Sequence, residues 1–319
     1  MPKTEVQPQQ EILRTGCGLI DRSERGKLAL TGPDAKTFLQ GQVTNDVESL
    51  APGHGVYAAF LNHKGKMQGD LRILDVGPPT PELWLDTERA TLQPLFTMIH
   101  RYKLGSDLEL HKRTVQQGLL SLVGPRAREI AGAPDLPEEE HANTRGEIDG
   151  VPVLLVATDV GVDLVVDAEQ TAQLAAALRE RGAVDVDEDA VEALRVQHGR
   201  PRYGIDIDDT TIPQEAGLNA RAVSFTKGCY VGQETVARLY YRGKPNRHLR
   251  GLRLSGPVAR GAELRLGEKV VGKVGTVVQA DGIGPIALAV VRREAAPGDT
   301  LAVGDGAVTG VVVELPFPG

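Results

Sequence analysis

After about residue 245 the helical period disappears from this 319-residue chain. Short apolar or alternating runs follow at 249–255, 262–266, 269–279, 286–293, 300–303 and 307–315, separated by Gly, Pro and Asp turns. Regular strand and turn spacing of this kind closes into a small antiparallel barrel or sandwich. Gly243-Lys244-Pro245-Asn246 reads as the linker, so the expected division is a body over 1–245 and a barrel over 246–319.

The body mixes hairpins and helices without a strict strand-helix-strand rhythm, which predicts an α+β arrangement rather than a doubly wound sheet. Gly55 to Leu61 and Lys66 to Val76 read as a hairpin around Asn62-His63-Lys64-Gly65. A helix is expected from near Leu92, because Pro94 argues against an earlier start. Val151 to Ala157 and Val162 to Val166 read as strands, and Asp167 with Gln170 as a capping box for the helix that follows. Glu188 to His198 reads as another helix. Residues 1–12 are expected to be a loose leader, and 133–150, with Glu138-Glu139-Glu140, an exposed acidic loop.

The densest chemistry lies in Ser224-Phe-Thr-Lys-Gly-Cys-Tyr-Val-Gly-Gln-Glu-Thr-Val-Ala-Arg238. A helix is expected from Gln233, with Glu234 in its first turn. Cys229 then sits just ahead of a helix N-terminus and two residues after Lys227, and both features stabilise a thiolate. Gly228 offers a positive φ or a close approach to a ligand. The same residue types also fit a small buried thiol with no reactivity. Cys17, the one other cysteine, reads as core. Two distant cysteines exclude a disulfide scaffold and a four-cysteine metal site within this chain.

The net charge of −7 argues against a general polyanion-binding surface, and Asn62 to Lys66 is too short for a nucleic-acid patch. The polar start and the lack of any apolar run of about 20 residues lead to the expectation of a soluble cytoplasmic protein, not a membrane one. No Walker loop, dinucleotide fingerprint, Ser/His/Asp constellation or paired metal-ligand histidines stand out.

Lys227-Gly-Cys-Tyr-Val-Gly-Gln-Glu234 resembles the signature K-G-C-[YF]-x-G-Q-E of the YgfZ family, folate-binding relatives of the glycine-cleavage T-protein. Gly26 to Val47 is similar to the opening of that superfamily, Leu61 to Leu71 to its hairpin, and Ile212 to Leu218 to its P-x-E-x-x-L motif. The resemblance implies a T-protein-like body of two interleaved α+β subdomains with a C-terminal barrel. It also implies tetrahydrofolate, or another reduced folate, as cofactor. The implied service is assembly or repair of iron–sulfur clusters, with carrier or client proteins as partners, tRNA-modifying enzymes included.

The same resemblance assigns expected roles. Cys229, Lys227 and Asp70 form the reactive set, and Asp70, Gln197, Glu215, Tyr230, Gln233, Glu234 and Arg238 the folate set. Bland readings stand beside them: Asp70 as a surface acid, Glu215 as a capping acid, Lys227 as a solvated cation, Tyr230 as packing and Arg238 as a surface arginine. Two positions depart from the T-protein pattern, since Gly69 and Gln197 stand where acids are expected. Gln197 can still pair with a pterin edge, whereas the loss of two carboxylates weakens the alternative reading, an aminomethyltransferase.

Overall fold

A computed structural model describes residues 6–79 and 81–317. The chain runs through α1 (Val6–Thr15), β1 (Gly18–Asp21), β2 (Gly26–Thr31), α2 (Ala35–Gln40), β3 (Gly55–Leu61), β4 (Met67–Asp75), β5 (Leu83–Thr87), α3 (Arg89–Tyr102) and β6 (Glu109–Lys112). It continues through β7 (Gln117–Val123), α4 (Ala127–Ala131), β8 (Asn143–Ile148), β9 (Val151–Thr158), β10 (Gly161–Asp167), α5 (Thr171–Glu180), β11 (Val184–Asp185) and α6 (Glu188–Gln197). A long connection containing α7 (Asn219–Ala222) and α8 (Gln233–Arg242) leads to six final strands. These are β12 (Arg247–Leu254), β13 (Glu263–Leu266), β14 (Lys269–Ala280), β15 (Gly284–Arg292), β16 (Thr300–Val303) and β17 (Val308–Val313).

The body contains two sheets, ordered β3-β4-β5-β2-β6 and β11-β1-β7-β10-β9-β8. Side chains alternate across each strand, and both faces are buried. On the first sheet Leu71, Ile73, Leu83 and Leu85 pack with Leu39, Leu95 and Ile99 of α2 and α3. On the second, Leu120, Leu122, Val162 and Leu164 pack with Ile130, Leu174 and Leu178 of α4 and α5. The remaining faces meet each other through Leu74, Trp84, Leu119, Val156 and Val165. The result is a helix, sheet, sheet, helix stack in which β1 belongs to one sheet and β2 to the other.

Between the sheets the apolar contact gives way to charge. Arg25 pairs with Asp86 at 2.8 Å, Asp86 with Arg72 at 2.7 Å, and Arg72 with Asp163 at 2.6 Å. Ser121 donates to the far oxygen of Asp163 at 2.6 Å. Burial alone would raise the Asp86 carboxyl, but Arg25 and Arg72 outweigh it and hold the group below its ordinary range. The charge chain thus joins β4 and β5 of the first sheet to β7 and β10 of the second.

The last six strands form a closed antiparallel barrel, ordered β12-β15-β14-β13-β16-β17. It seats on the body through Val196 of α6, which packs with Leu249, Ile286, Leu288 and Phe317. Arg195 adds a polar tie, donating to Asp206 at 2.9 Å and to Thr276 of β14 at 2.7 Å. The fold is therefore α+β with a C-terminal barrel.

Several local expectations change. Residues 6–15 are helical rather than a loose leader, with Leu13 buried beside Ile20 and Val186; the rest of that leader lies outside the described residues. α3 begins at Arg89 and accommodates Pro94 because both Pro94 and Ala90, whose carbonyl loses its partner, face solvent. Asp167 makes no side-chain cap, and a 3₁₀ turn intervenes before α5. The 133–150 segment is not simply exposed: Leu136, His141, Ala142 and Ile148 are buried, and 143–148 forms β8.

Replacing Arg72 with Leu leaves Asp163 buried without a cation, which costs about 3–5 kcal/mol. Urea denaturation of Arg72→Leu against the parent chain measures it, and a loss below about 1 kcal/mol would contradict the linking role.

Candidate functional site

β3 and β4 form a hairpin with a bulge opposite Phe60 and Leu61. Gly69 there has φ +155°, and a Cβ would stand 2.5 Å from the Phe60 ring and 2.9 Å from Thr91. No side chain fits, which explains why an acid is missing at this position. The next residue, Asp70, points to the opposite face, into the gap between the sheets. Its Oδ2 accepts a 2.7 Å bond from the Tyr57 hydroxyl. Burial pushes Asp70 up to about 6, against the lowering by the Tyr57 bond. The Tyr57 ring lies beneath the Arg221 guanidinium at 4.9 Å.

Asp70 lines a chamber of about 210 Å³, with Arg25, Glu88, Arg195, Arg202 and Tyr203 among its walls. A second chamber of about 190 Å³ reaches to Arg72 and His141 and shares Arg22, Arg25, Tyr57, Asp159 and Arg221 with the first. Together they fall in the size range of small-molecule sites, roughly 300–1,000 Å³. Two buried polar atoms on these walls have no partner among the described residues, His141 Nδ1 and Arg221 Nε. Burial, then Arg72 and Arg221, bring His141 down to about 3, so its imidazole is neutral at physiological pH. His141 and Arg221, both lining the chambers, thus each carry a buried polar atom that the described residues leave unsatisfied.

The other expected residues lie elsewhere. Lys227 is not a free cation beside the thiol: its ammonium donates to the carbonyls of Gln40, Val43 and Asn45 at 2.6, 2.8 and 2.8 Å. Burial brings it down to about 8. Glu215 is not open to a pterin edge, because both oxygens receive Arg247 of β12, at 3.1 and 2.9 Å. Tyr230 is buried among Leu61, Met67, Val223 and Val236, so it packs rather than stacks on a ligand. Cys229 is exposed. Neither it nor Gln197, Gln233, Glu234 and Arg238 lines the Asp70 chambers. Gly228 has no positive φ and open space around it, so the structure gives no steric reason for that glycine. Gly232 does have one: φ is +83°, and a Cβ would stand 2.5 Å from the Asn62 carbonyl of the hairpin turn.

Comparison with known proteins decides the family. Residues 3–227 match the GCVT N-terminal domain. The chain belongs to the GCVT family. An aminomethyltransferase of Symbiobacterium thermophilum is 31% identical, over 86% of this chain and 77% of that protein. A chloroplastic protein of Arabidopsis thaliana that carries a transferase name is 28% identical, over 95% of this chain and 71% of its own. The crystal structure of glycine cleavage system aminomethyltransferase T from Bartonella henselae superposes with a TM-score of 0.87 over 98% of this chain and 89% of that one, at 23% identity. The fold is that of an aminomethyltransferase.

In this GCVT-family chain the residues lining the Asp70 chambers that sequence reasoning missed include Tyr57, Arg221 and His141. Tyr57 stands on β3 one strand over from Asp70, a proximity visible once the hairpin register is known. Arg221 and His141 come from segments without regular periodicity, and Glu140, within the acidic run, pairs with Arg221. No helix among the described residues is long and apolar enough to cross a membrane.

An Asp near 6, hydrogen-bonded to a phenol and open to a chamber, is placed to give and take a proton near neutral pH. Its raised value also sets a stability window. The native state keeps the proton more tightly than the unfolded chain, whose carboxyl titrates near 3.9, so stability falls as pH rises from about 4 to about 6. Asp70→Asn keeps an acceptor for Tyr57 and removes that penalty. The variant should exceed the parent by up to about 3 kcal/mol at pH 7 and match it near pH 4 in urea melts; equal stability at pH 7 would show that Asp70 is not raised.

Proposed function

We propose that this protein binds a reduced folate, tetrahydrofolate being the expected form, in the chambers at Asp70. We further propose that it supports assembly or repair of iron–sulfur clusters in client enzymes, tRNA-modifying ones among them. The observation that carries the folate reading is the buried Asp70–Tyr57 pair facing a ligand-sized space within an aminomethyltransferase fold. A pterin presents N–H donors along one edge, for which a buried carboxylate is a directional acceptor.

The maturation reading is supported by Cys229. Its sulfur is exposed on a loop that Lys227 fixes to residues 40–45, a presentation that suits contact with another protein. A lone thiol supplies one cluster ligand, so the cluster would be cargo of a partner rather than resident here.

The second reading, aminomethyl transfer, is favoured by Asp70 titrating near 6 and by the names of the relatives. In that reaction a carrier-bound S–CH₂–NH₂ group passes its carbon to two folate nitrogens. The carbon–sulfur and carbon–nitrogen bonds break, and the two folate N–H protons leave with the carrier thiol and with ammonia. Asp70 would relay one of these protons.

Calorimetry with tetrahydrofolate tests the binding site: Asp70→Ala should weaken affinity at least tenfold, and unchanged affinity would place the folate elsewhere. Cells lacking the protein should lose activity of iron–sulfur enzymes under oxidative stress, and Cys229→Ala should fail to restore it. Robust turnover of an aminomethyl-lipoyl carrier that survives Cys229→Ala would replace the first reading by the second.

A further inference from the structure

A larger cavity, about 570 Å³, lies away from Asp70, along β14 where the barrel meets the loop from Ile205 to Thr211. Four cations line it: Arg247, Arg260, Lys273 and Arg292. The strand register holds them together. Arg247 and Arg292 are direct partners in the β12–β15 pair. Lys273 lies opposite Val290, two residues before Arg292 and on the same face of β15. Like charges facing one another on a sheet are unfavourable unless something offsets them.

The protein offsets them only in part. Arg247 pairs with Glu215, and Arg260 donates to the Gly204 carbonyl at 2.7 Å. The side chains of Lys273 and Arg292 have no hydrogen bond or ion pair to a described residue. Nearby acids are already engaged. Asp206 accepts from Arg195 and from the amides of Arg202 and Thr276. Asp208 accepts from Thr210 and Thr211. Glu263, across from Lys273, pairs with Arg265, and Glu294, which feels Arg292 at a distance, pairs with Lys269. Asp208 keeps its charge close to Arg247, but with four cations against Asp206 and Asp208 on the walls, a chain of net charge −7 presents a concave surface with a surplus of positive charge.

We propose that this cavity is a second ligand site, for a small molecule carrying a multiply charged oxyanion, either a phosphate chain or clustered carboxylates. The guanidinium fork of Arg292 and the point charge of Lys273 recognise both forms, with Arg247, held by Glu215, adding positive charge beside them. Ile205, Val270 and Val290 supply an apolar wall for the uncharged part of the ligand.

Calorimetry on the full chain at low ionic strength tests this with two probes, inorganic pyrophosphate and tri-γ-glutamate. The comparison is with a Lys273→Gln/Arg292→Gln double variant, which removes no buried contact. At least one probe should bind one to one, weaken as salt rises, and lose at least tenfold in affinity in the variant while the thermal midpoint stays level or rises, as the relief of like-charge repulsion requires. A preference for pyrophosphate assigns the phosphate form, and a preference for tri-γ-glutamate the carboxylate form. Binding of neither probe, or binding that the double variant leaves intact, overturns the proposal. So does tri-γ-glutamate binding lost in Asp70→Ala instead, since that places it in the other site.

Discussion

The alternation of Arg25, Asp86, Arg72 and Asp163 through the middle of the body is the constraint on which the rest depends. Asp86 is buried between Arg25 and Arg72, and Arg72 reaches on to Asp163 of the second sheet, whose other oxygen takes Ser121. A buried ion chain is poor evidence of net stability, since apolar residues of the same volume often do as well. What it does fix is register. A one-residue slip of β4 or β10 would turn Arg72 or Asp163 to the opposite, apolar face and strand its partners. Asp70 is two residues before Arg72 on the same face, so the register that satisfies the charges also aims the site carboxyl into the gap between the sheets.

The loop around Cys229 is governed by a different rule, saturation of backbone carbonyls. Residues 221–231 run beside 40–45, with Ser224 N donating to the Thr44 carbonyl and Val231 N to that of Gly41. Asn45 Nδ2 joins the two segments by donating to the carbonyls of Tyr57 and Arg221. The Gly26–Val47 run and the K-G-C-Y-V-G-Q-E run, far apart in sequence, therefore meet as two halves of one irregular structure. Gly232 lets the hairpin turn of β3 and β4 rest against the start of α8.

Legibility in the sequence followed periodicity. The six barrel strands lie within two residues of their expected limits, because alternation and Gly-rich turns are local signals. The β3–β4 hairpin and α6 were equally plain. Pro94 misled because its effect depends on whether the orphaned carbonyl meets water, which only the packed helix decides. The 133–150 segment misled because its charges mask Leu136, Ala142 and Ile148. At the site, Asp70 was accessible through resemblance alone, while Tyr57, His141 and Arg221 required the two sheets to be stacked. Lys227 and Glu215 were visible as residues of interest, yet their partners, three carbonyls and Arg247, are long-range and leave no trace in spacing.

The three carbonyls around Lys227 have a chemical corollary. They form a tripod, and an sp³ nitrogen with three diverging protons matches it; a flat guanidinium directs its protons in one plane and does not. This position therefore discriminates between the two basic side chains by hybridisation rather than by charge. An exchange that preserves the formal charge of the segment would still unfasten it from its neighbour.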